Sequence, residues 1–148
     1  MTLSPVDQQE VEQALVEAST ELLAAAKGVK APMVRPRRIQ PIAVVLSPNE
    51  NTYAVSIISI LDIDQRVGTL KRALEQAHGM GFVFVYDGFI TDTATGQKMD
   101  ALLMVRGTAW GVWRATALPY RYGGVGVGFE PEMDVPDMCA GYHGVFNG

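Results

Sequence analysis

Residues 81–120, GFVFVYDGFITDTATGQKMDALLMVRGTAWGVWRATALPY, decide the fold of this chain. Phe82–Tyr86 and Met99–Val105 are runs of apolar residues, and the polar, glycine-containing segment Thr93–Gln97 lies between them. A third apolar run, Val112–Leu118, follows directly. β-Branched and aromatic runs separated by turn residues predict three consecutive strands that form an antiparallel meander.

Two helices and a hairpin are predicted on the N-terminal side of this meander. Apolar residues recur at helical spacing before Gly28 and again after Asp62, so each segment predicts an amphipathic helix. Between them, Ile42–Leu46 and Tyr53–Leu61 predict two strands joined by the turn Ser47–Asn51. The helical stripes are Val11, Leu15, Ala18, Leu22 and Ala25 in the first helix and Ile63, Val67, Leu70, Leu74 and Ala77 in the second.

The predicted element order is helix, strand, strand, helix, strand, strand, strand. Neighbouring strands joined by short turns pair antiparallel, so we expect an α+β fold with a five-stranded, mainly antiparallel sheet. Both helices are expected on one face of this sheet, because each has one apolar stripe to cover. The order resembles that of profilin-like and roadblock-type sandwiches, and a resemblance of element order implies no function.

A chain of 148 residues predicts one domain, residues 1–148. Within it we expect an N-terminal helix at 1–28 and a basic, proline-containing connector at 29–40. An α+β core is expected at 41–120, followed by an arm at 121–148 that is rich in glycine, aromatic and acidic residues.

The composition favours a cytoplasmic protein without a membrane partner. The segment Met1–Asp7 lacks the features of a signal peptide, and no apolar run has the length needed to span a bilayer. The single cysteine, Cys139, excludes an intramolecular disulfide. A net charge of −4 gives no general reason to expect nucleic acid as a partner.

One part of the chain resembles a known group of sequences. The predicted second helix is followed by Val83–Phe89, an apolar strand that ends in an acid and an aromatic residue. After the polar turn, Lys98–Leu103 begins the next strand with a basic residue, an acidic residue and an apolar run. In these features residues 63–105 resemble a loose family of uncharacterised small bacterial and phage proteins. That family favours glutamate and tryptophan at the positions of Asp87 and Phe89, and glutamate at that of Asp100. The resemblance implies no activity.

Two carboxylates in the meander are the candidates for catalysis. If the turn places Asp92 opposite Gln97, antiparallel pairing places Asp87 and Asp100 on the same face of the sheet, about 5.5–8 Å apart. Two carboxylates at that spacing can hold a divalent metal or divide acid and base roles. A metal-dependent, hydrolase-like enzyme is therefore one hypothesis. The alternative is that Asp87 and Asp100 lie on the more solvated face of the sheet, where Lys98 and Arg106 screen them.

The remaining motifs predict no metal and no cofactor. Cys139 and His143 have the spacing of half a zinc site, but a structural zinc needs four ligands and the only other histidine is His78. The segment Gly123–Gly128 lacks the lysine and the hydroxyl residue with which a phosphate-binding loop ends.

A compact basic stretch precedes the first predicted strand. It can contact phosphates, which makes a nucleic-acid accessory protein a further hypothesis. It can also pair with the acidic face of the first helix or with the acids at 130–137, in the same or a neighbouring chain. Because the whole chain is acidic, we favour this second interpretation. The stretch contains Arg35, Arg37 and Arg38, preceded by Lys27 and Lys30.

Aromatic residues crowd the C-terminal third among glycines, a composition that suits either a core or a contact surface. From residue 120 on, the segment has little periodicity of its own, so we predict that its aromatic residues contact a second copy. The sequence contains no nucleophile–base set, metal set or phosphate loop, and it therefore predicts a non-catalytic binding or assembly module that self-associates. The predicted interface residues are Tyr120, Tyr122, Phe129, Tyr142 and Phe146.

Overall fold

The computed structural model of the chain describes residues 5–49 and 52–146. Its elements are α1 (Pro5–Lys30), β1 (Ile42–Asn49), β2 (Thr52–Ser59), α2 (Arg66–Ala77), β3 (Gly81–Thr91), β4 (Lys98–Thr108), β5 (Trp113–Gly123), β6 (Gly126–Phe129) and β7 (Met133–Asp134). A short 3-10 turn, Ile63–Gln65, leads into α2, and a longer 3-10 segment, Pro136–Phe146, follows β7. The predicted turn Ser47–Asn51 was placed too early, because β1 continues to Asn49, and its last two residues, 50–51, lie outside the described residues.

The sheet is antiparallel, with the order β2-β1-β3-β4-β5-β6, and β7 also pairs with β5. The predicted α+β class, the hairpin of β1 and β2 and the meander of β3, β4 and β5 are confirmed. The prediction of five strands was wrong, because the segment expected to form an arm supplies β6 and β7. Its glycines permit a tight turn at 124–125, between Gly123 and Gly126, which pair with each other.

The two helices lie on opposite faces of the sheet, so the prediction that both cover one face was wrong. Each face of β1, β3 and β4 carries apolar residues, and neither face can be left to water. The 3-10 segment Pro136–Phe146 shares the α2 face. The α1 core contains Val11, Leu15, Val44, Val83, Val85, Leu102 and Met104, and the α2 core contains Leu70, Leu74, Ala43, Val45, Phe82, Phe84, Leu103 and Tyr142.

The first helix extends beyond its predicted end. The first helix continues through Gly28 to Lys30, and its buried stripe steps by four residues at its end, from Ala26 to Lys30. The second helix ends at Ala77, and His78 adopts the left-handed conformation with φ of 52°. Gly79 is needed for space, because a Cβ there would lie 2.6 Å from the Leu74 side chain.

The two edge strands of the sheet, β6 and β2, have different neighbours. At the β6 edge, the Val127 amide donates a hydrogen bond of 2.8 Å to the carbonyl of Ala31, in the segment after α1. Gly126 makes this approach possible, because its φ is 138° and a Cβ would collide with that carbonyl. At the other edge, no strand in the described chain pairs with the outer side of β2. Within the described residues, no helix combines the length and the apolar character that crossing a membrane requires.

Candidate functional site

Asp87 lies in β3 on the face covered by α1, and its side chain is fully buried. Three side chains donate to its carboxylate at short range. The Lys30 Nζ atom lies 2.7 Å from Oδ2, while the Arg38 Nη1 and Tyr120 hydroxyl lie 2.8 Å and 2.6 Å from Oδ1. The amide of Ile39 approaches Oδ2 at 3.4 Å. Both carboxylate oxygens are therefore occupied by donors from the chain itself.

Lys30 is the most unusual member of this cluster, because its side chain is also fully buried. It is the last residue of α1 and continues the buried stripe of that helix, so the ammonium points at the sheet rather than at water. Besides Asp87, the ammonium donates to the carbonyl of Arg37. It also lies over the rings of Tyr120 and Tyr122, 4.8 and 5.0 Å from their centroids. Pairing, hydrogen bonds and cation–π contacts offset the cost of removing this charge from water.

The two tyrosines beside Lys30 have opposite electrostatic environments. Burial raises the pKa of Tyr120, and the hydrogen bond to Asp87 raises it further because a phenolate would stand beside a carboxylate. Burial also acts to raise the pKa of Tyr122, but the Lys30 ammonium and the Tyr120 hydroxyl outweigh burial and lower it. Tyr120 is therefore held as a neutral hydrogen-bond donor to Asp87.

The register predicted for the carboxylates is confirmed. The Asp92 amide donates to the Gln97 carbonyl at 2.8 Å, Phe89 pairs with Asp100, and Asp87 pairs with Leu102. Asp87 and Asp100 consequently contact one guanidinium, that of Arg38, whose Nη2 lies 3.2 Å from Asp100 Oδ1.

The alternative, in which Asp87 and Asp100 lie on the more solvated face and Lys98 and Arg106 screen them, is wrong for Asp87, whereas Asp100 is 40% exposed. The Asp87 side chain is packed against Lys30, Arg38 and Tyr120, so solvent does not reach it. The Lys98 ammonium lies over the Phe89 ring, 4.3 Å from its centroid, and Arg106 donates to the Ser19 hydroxyl at 3.1 Å.

This geometry favours an anchoring role for Asp87. A general base or metal ligand needs a lone pair that faces the substrate or ion, and the two oxygens of Asp87 already accept from four groups. Among residues 5–49 and 52–146 there is no cluster of three or more histidine, cysteine or acidic side chains that could hold a metal. Asp87 instead ties the end of α1 and the following connector to the sheet.

The basic stretch divides into paired and unpaired residues. Arg38 and Lys30 pair with Asp87, whereas we expected acids on the α1 surface or in the C-terminal segment. The side chains of Arg35 and Arg37 are exposed and form no ion pair with the described residues. Of the three arginines, these two are therefore the ones that can meet an external anion.

The aromatic residues predicted to form an interface pack within the chain. Tyr120 and Tyr142 are buried in the α1 and α2 cores, respectively. Phe129 lies against Tyr120, with ring centroids 6.0 Å apart, and Phe146 lies 5.9 Å from Phe82. Phe129 and Phe146 remain half-buried, so the contact of this segment with a second copy stays a prediction.

Cys139 and His143 do not form half of a metal site. Cys139 is buried in the α2 core, and burial raises the pKa of its thiol. The His143 ring packs on the indole of Trp113, with centroids 4.8 Å apart. A protonated thiol inside a core is a poor nucleophile and a poor ligand.

An exposed apolar surface lies at the β2 edge of the sheet, and the sequence patterns did not point to it. On the α1 side of β2, Val55 and Ile57 are 56% and 73% exposed. Beside them a groove of about 410 Å³ runs between β2 and the α1 helix. We call β2 together with this groove the edge surface. On the helix the groove is lined by Ala14, Glu17, Ala18, Glu21, Leu22 and Ala25.

The chain shows no significant match to any known protein-family model, curated protein or solved structure. The candidate functional sites are therefore taken from the structure of the chain itself. They are the buried cluster around Asp87, which is satisfied internally, and the edge surface, which is not.

Proposed function

We propose that this protein is a non-catalytic assembly module that self-associates by pairing β2 with β2 of a second copy. The observation that carries the proposal is the state of β2. β2 is an edge strand of the sheet, and two of its apolar side chains, Val55 and Ile57, are exposed. The buried state of Asp87 supports the non-catalytic part of the proposal.

The open side of β2 is suited to pair with another strand. Backbone N–H and C=O groups on the open side of an edge strand are a template for adding another strand. Proteins usually protect such an edge with charges, proline or a covering segment. Residues 52–59 contain no charged residue and no proline, whereas the opposite edge is covered at Ala31.

A second copy fits this edge because identical antiparallel strands are self-complementary about a two-fold axis. An axis at Ser56 places Val55 opposite Ile57 of the second copy, and Ile57 opposite Val55. These apolar side chains then cover one another on a single face. The acids Glu17 and Glu21 line the groove and disfavour insertion of a second acidic α1 helix, which leaves the uncharged strand as the contact.

Replacing Ile57 with lysine is expected to convert dimers into monomers. The side chain is largely exposed, so Ile57→Lys leaves the fold intact while it places a charge opposite an apolar strand of the second copy. Light scattering after size-exclusion chromatography at tens of micromolar measures the change. Leu61→Lys is the matched control, because Leu61 is 89% exposed and lies beyond the end of β2. A monomeric wild-type protein, or equal behaviour of the two variants, would contradict the proposal.

The pairing register has its own test. With the axis at Ser56, Ser56→Cys brings two cysteines together across the axis, and oxidation should join the copies by a disulfide. The wild-type protein is the control, since its single cysteine is buried and should give no covalent dimer. Dimers that Ile57→Lys dissociates but Ser56→Cys does not cross-link would indicate a different register at the same edge.

A further inference from the structure

A second cleft, far from β2 in the strand order, lies between α1 and the paired strands β4 and β5. It is an open cleft of about 320 Å³ on the face of the sheet that α1 covers. Its polar lining comes from α1, β4, β5 and the segment just before β7. The groups that matter are Ser19, Lys27, Arg106, Arg114, Thr116 and Glu132.

The cleft carries an excess of positive charge. Arg106 and Arg114 are direct partners across β4 and β5, so the two side chains leave the sheet from neighbouring positions on the same face. Arg114 pairs with Asp134 at 3.2 Å, whereas Arg106 has no ion pair with the described residues. Counting Lys27, Arg106 and Arg114 against Glu132 and Asp134 leaves one net positive charge, three minus two.

A bound anion would stabilise the partly buried charge of Arg106. The guanidinium is partly buried, and its hydrogen bond to the Ser19 hydroxyl, at 3.1 Å, does not neutralise its charge. Burial lowers the pKa of Arg106 and the neighbouring Arg114 lowers it further, and these two effects outweigh the Glu132 carboxylate, which acts to raise it. Arginine side chains bind oxyanions through two parallel hydrogen bonds, and such bonds are strong where both groups are charged.

An unpaired hydroxyl provides an independent indication of a ligand. Thr116 is 2% exposed and lies in the wall of the cleft, two residues after Arg114 and on the same face of β5. Its Oγ1 atom has no hydrogen-bond partner in the described chain. Buried hydroxyl groups are nearly always paired, so an unpaired one in a residue that lines a cationic cleft can serve as a donor to an oxyanion.

We infer that this cleft binds the phosphoryl group of a small ligand, held by Arg106, the Thr116 hydroxyl and the positive field of Arg114 and Lys27. A tetrahedral phosphoryl oxyanion accepts hydrogen bonds from guanidinium and hydroxyl groups in several directions at once. The volume is at the lower end of the range for small-molecule sites, which suits inorganic phosphate or a small phosphate monoester. The inference does not depend on self-association, because the cleft and β2 share no residue.

Phosphate binding by the full chain provides the test. Calorimetric titrations with inorganic phosphate and with phenyl phosphate, at constant ionic strength set with chloride, should show saturable binding. Arg106→Gln should weaken the affinity at least about tenfold, the size of effect expected for one charge-assisted hydrogen bond. Arg121→Gln is the control, because that arginine is 76% exposed on β5, pairs with Glu130 and lies outside the cleft.

Thr116 variants test the site without removing a charge. Thr116→Val should weaken phosphate binding several-fold, while Thr116→Ser keeps the hydroxyl and should restore it. If Arg106→Gln fails to fold, the two Thr116 variants still test whether the cleft binds phosphate. Tighter binding of phenyl phosphate identifies a monoester as the ligand class, and equal or weaker binding identifies the free anion. The inference is overturned if neither compound binds better than chloride does, or if Arg121→Gln weakens binding as much as the cleft variants do.

Discussion

Asp87→Asn is expected to lower the free energy of unfolding by about 3–5 kcal/mol, the range for breaking a buried ion pair from one side. The amide can still hydrogen-bond, but it carries no charge. Lys30 would then remain as a buried ammonium that has lost its acidic partner, the only one among residues 5–49 and 52–146. Urea melts of the two proteins measure the difference.

Asp100→Asn is the matched control for Asp87→Asn. Asp100 contacts the same arginine, but its side chain is 40% exposed and that of Arg38 is 51% exposed. An exposed pair of this kind contributes no more than about 1 kcal/mol. Similar losses in the free energy of unfolding for the two variants would show that the contribution of Asp87 to stability does not depend on its burial.

The double variant Lys30→Met, Asp87→Leu separates the energy of the ion pair from the cost of leaving one charge unpaired. Each single substitution leaves a buried or partly buried charge behind, whereas the double variant replaces both with apolar groups. Its loss of stability should therefore be smaller than the sum of the two single losses. Additive losses would mean that Lys30 and Asp87 do not depend on each other.

Replacing Leu70 or Leu74 with alanine is expected to cost about 2–5 kcal/mol, because the lost methyl groups leave a cavity in the α2 core. Both leucines are buried there against the sheet. Lys71 and Glu75 lie on the same helix away from that core, and their alanine variants should change stability by no more than about 0.5 kcal/mol. Equal losses at all four positions in urea melts would contradict this packing of α2.

The meander was predictable because its information is local. Residues 81–120 contain strands, turns and alternation in one continuous stretch, and a hairpin sets its register through its own turn. The pairing of Asp87 with Leu102, and of Phe89 with Asp100, followed from the position of the turn alone. Helix periodicity is equally local, and it located the buried leucines of α2.

The faces of the sheet were misassigned although the sequence holds a usable signal. Strands β3 and β4 contain consecutive apolar residues, for example Phe82–Tyr86 and Ala101–Val105, with no polar alternation. Such runs indicate strands that are covered on both faces. Lys30 was missed in a related way. It continues the buried stripe of α1 after Ala26, beyond the glycine at which we had ended the helix.

By itself the sequence determined the elements whose contacts lie within a few dozen residues, namely two amphipathic helices, a hairpin and a meander. Only the tertiary structure decided the partners of Asp87. Lys30, Arg38 and Tyr120 are 57, 49 and 33 residues away along the chain. Only the tertiary structure also brought Arg106 and Thr116 together with the α1 helix, and left β2 as the open edge. Local patterns record which residues must be buried, whereas the choice of a partner depends on how distant segments cross, and no short-range spacing encodes that.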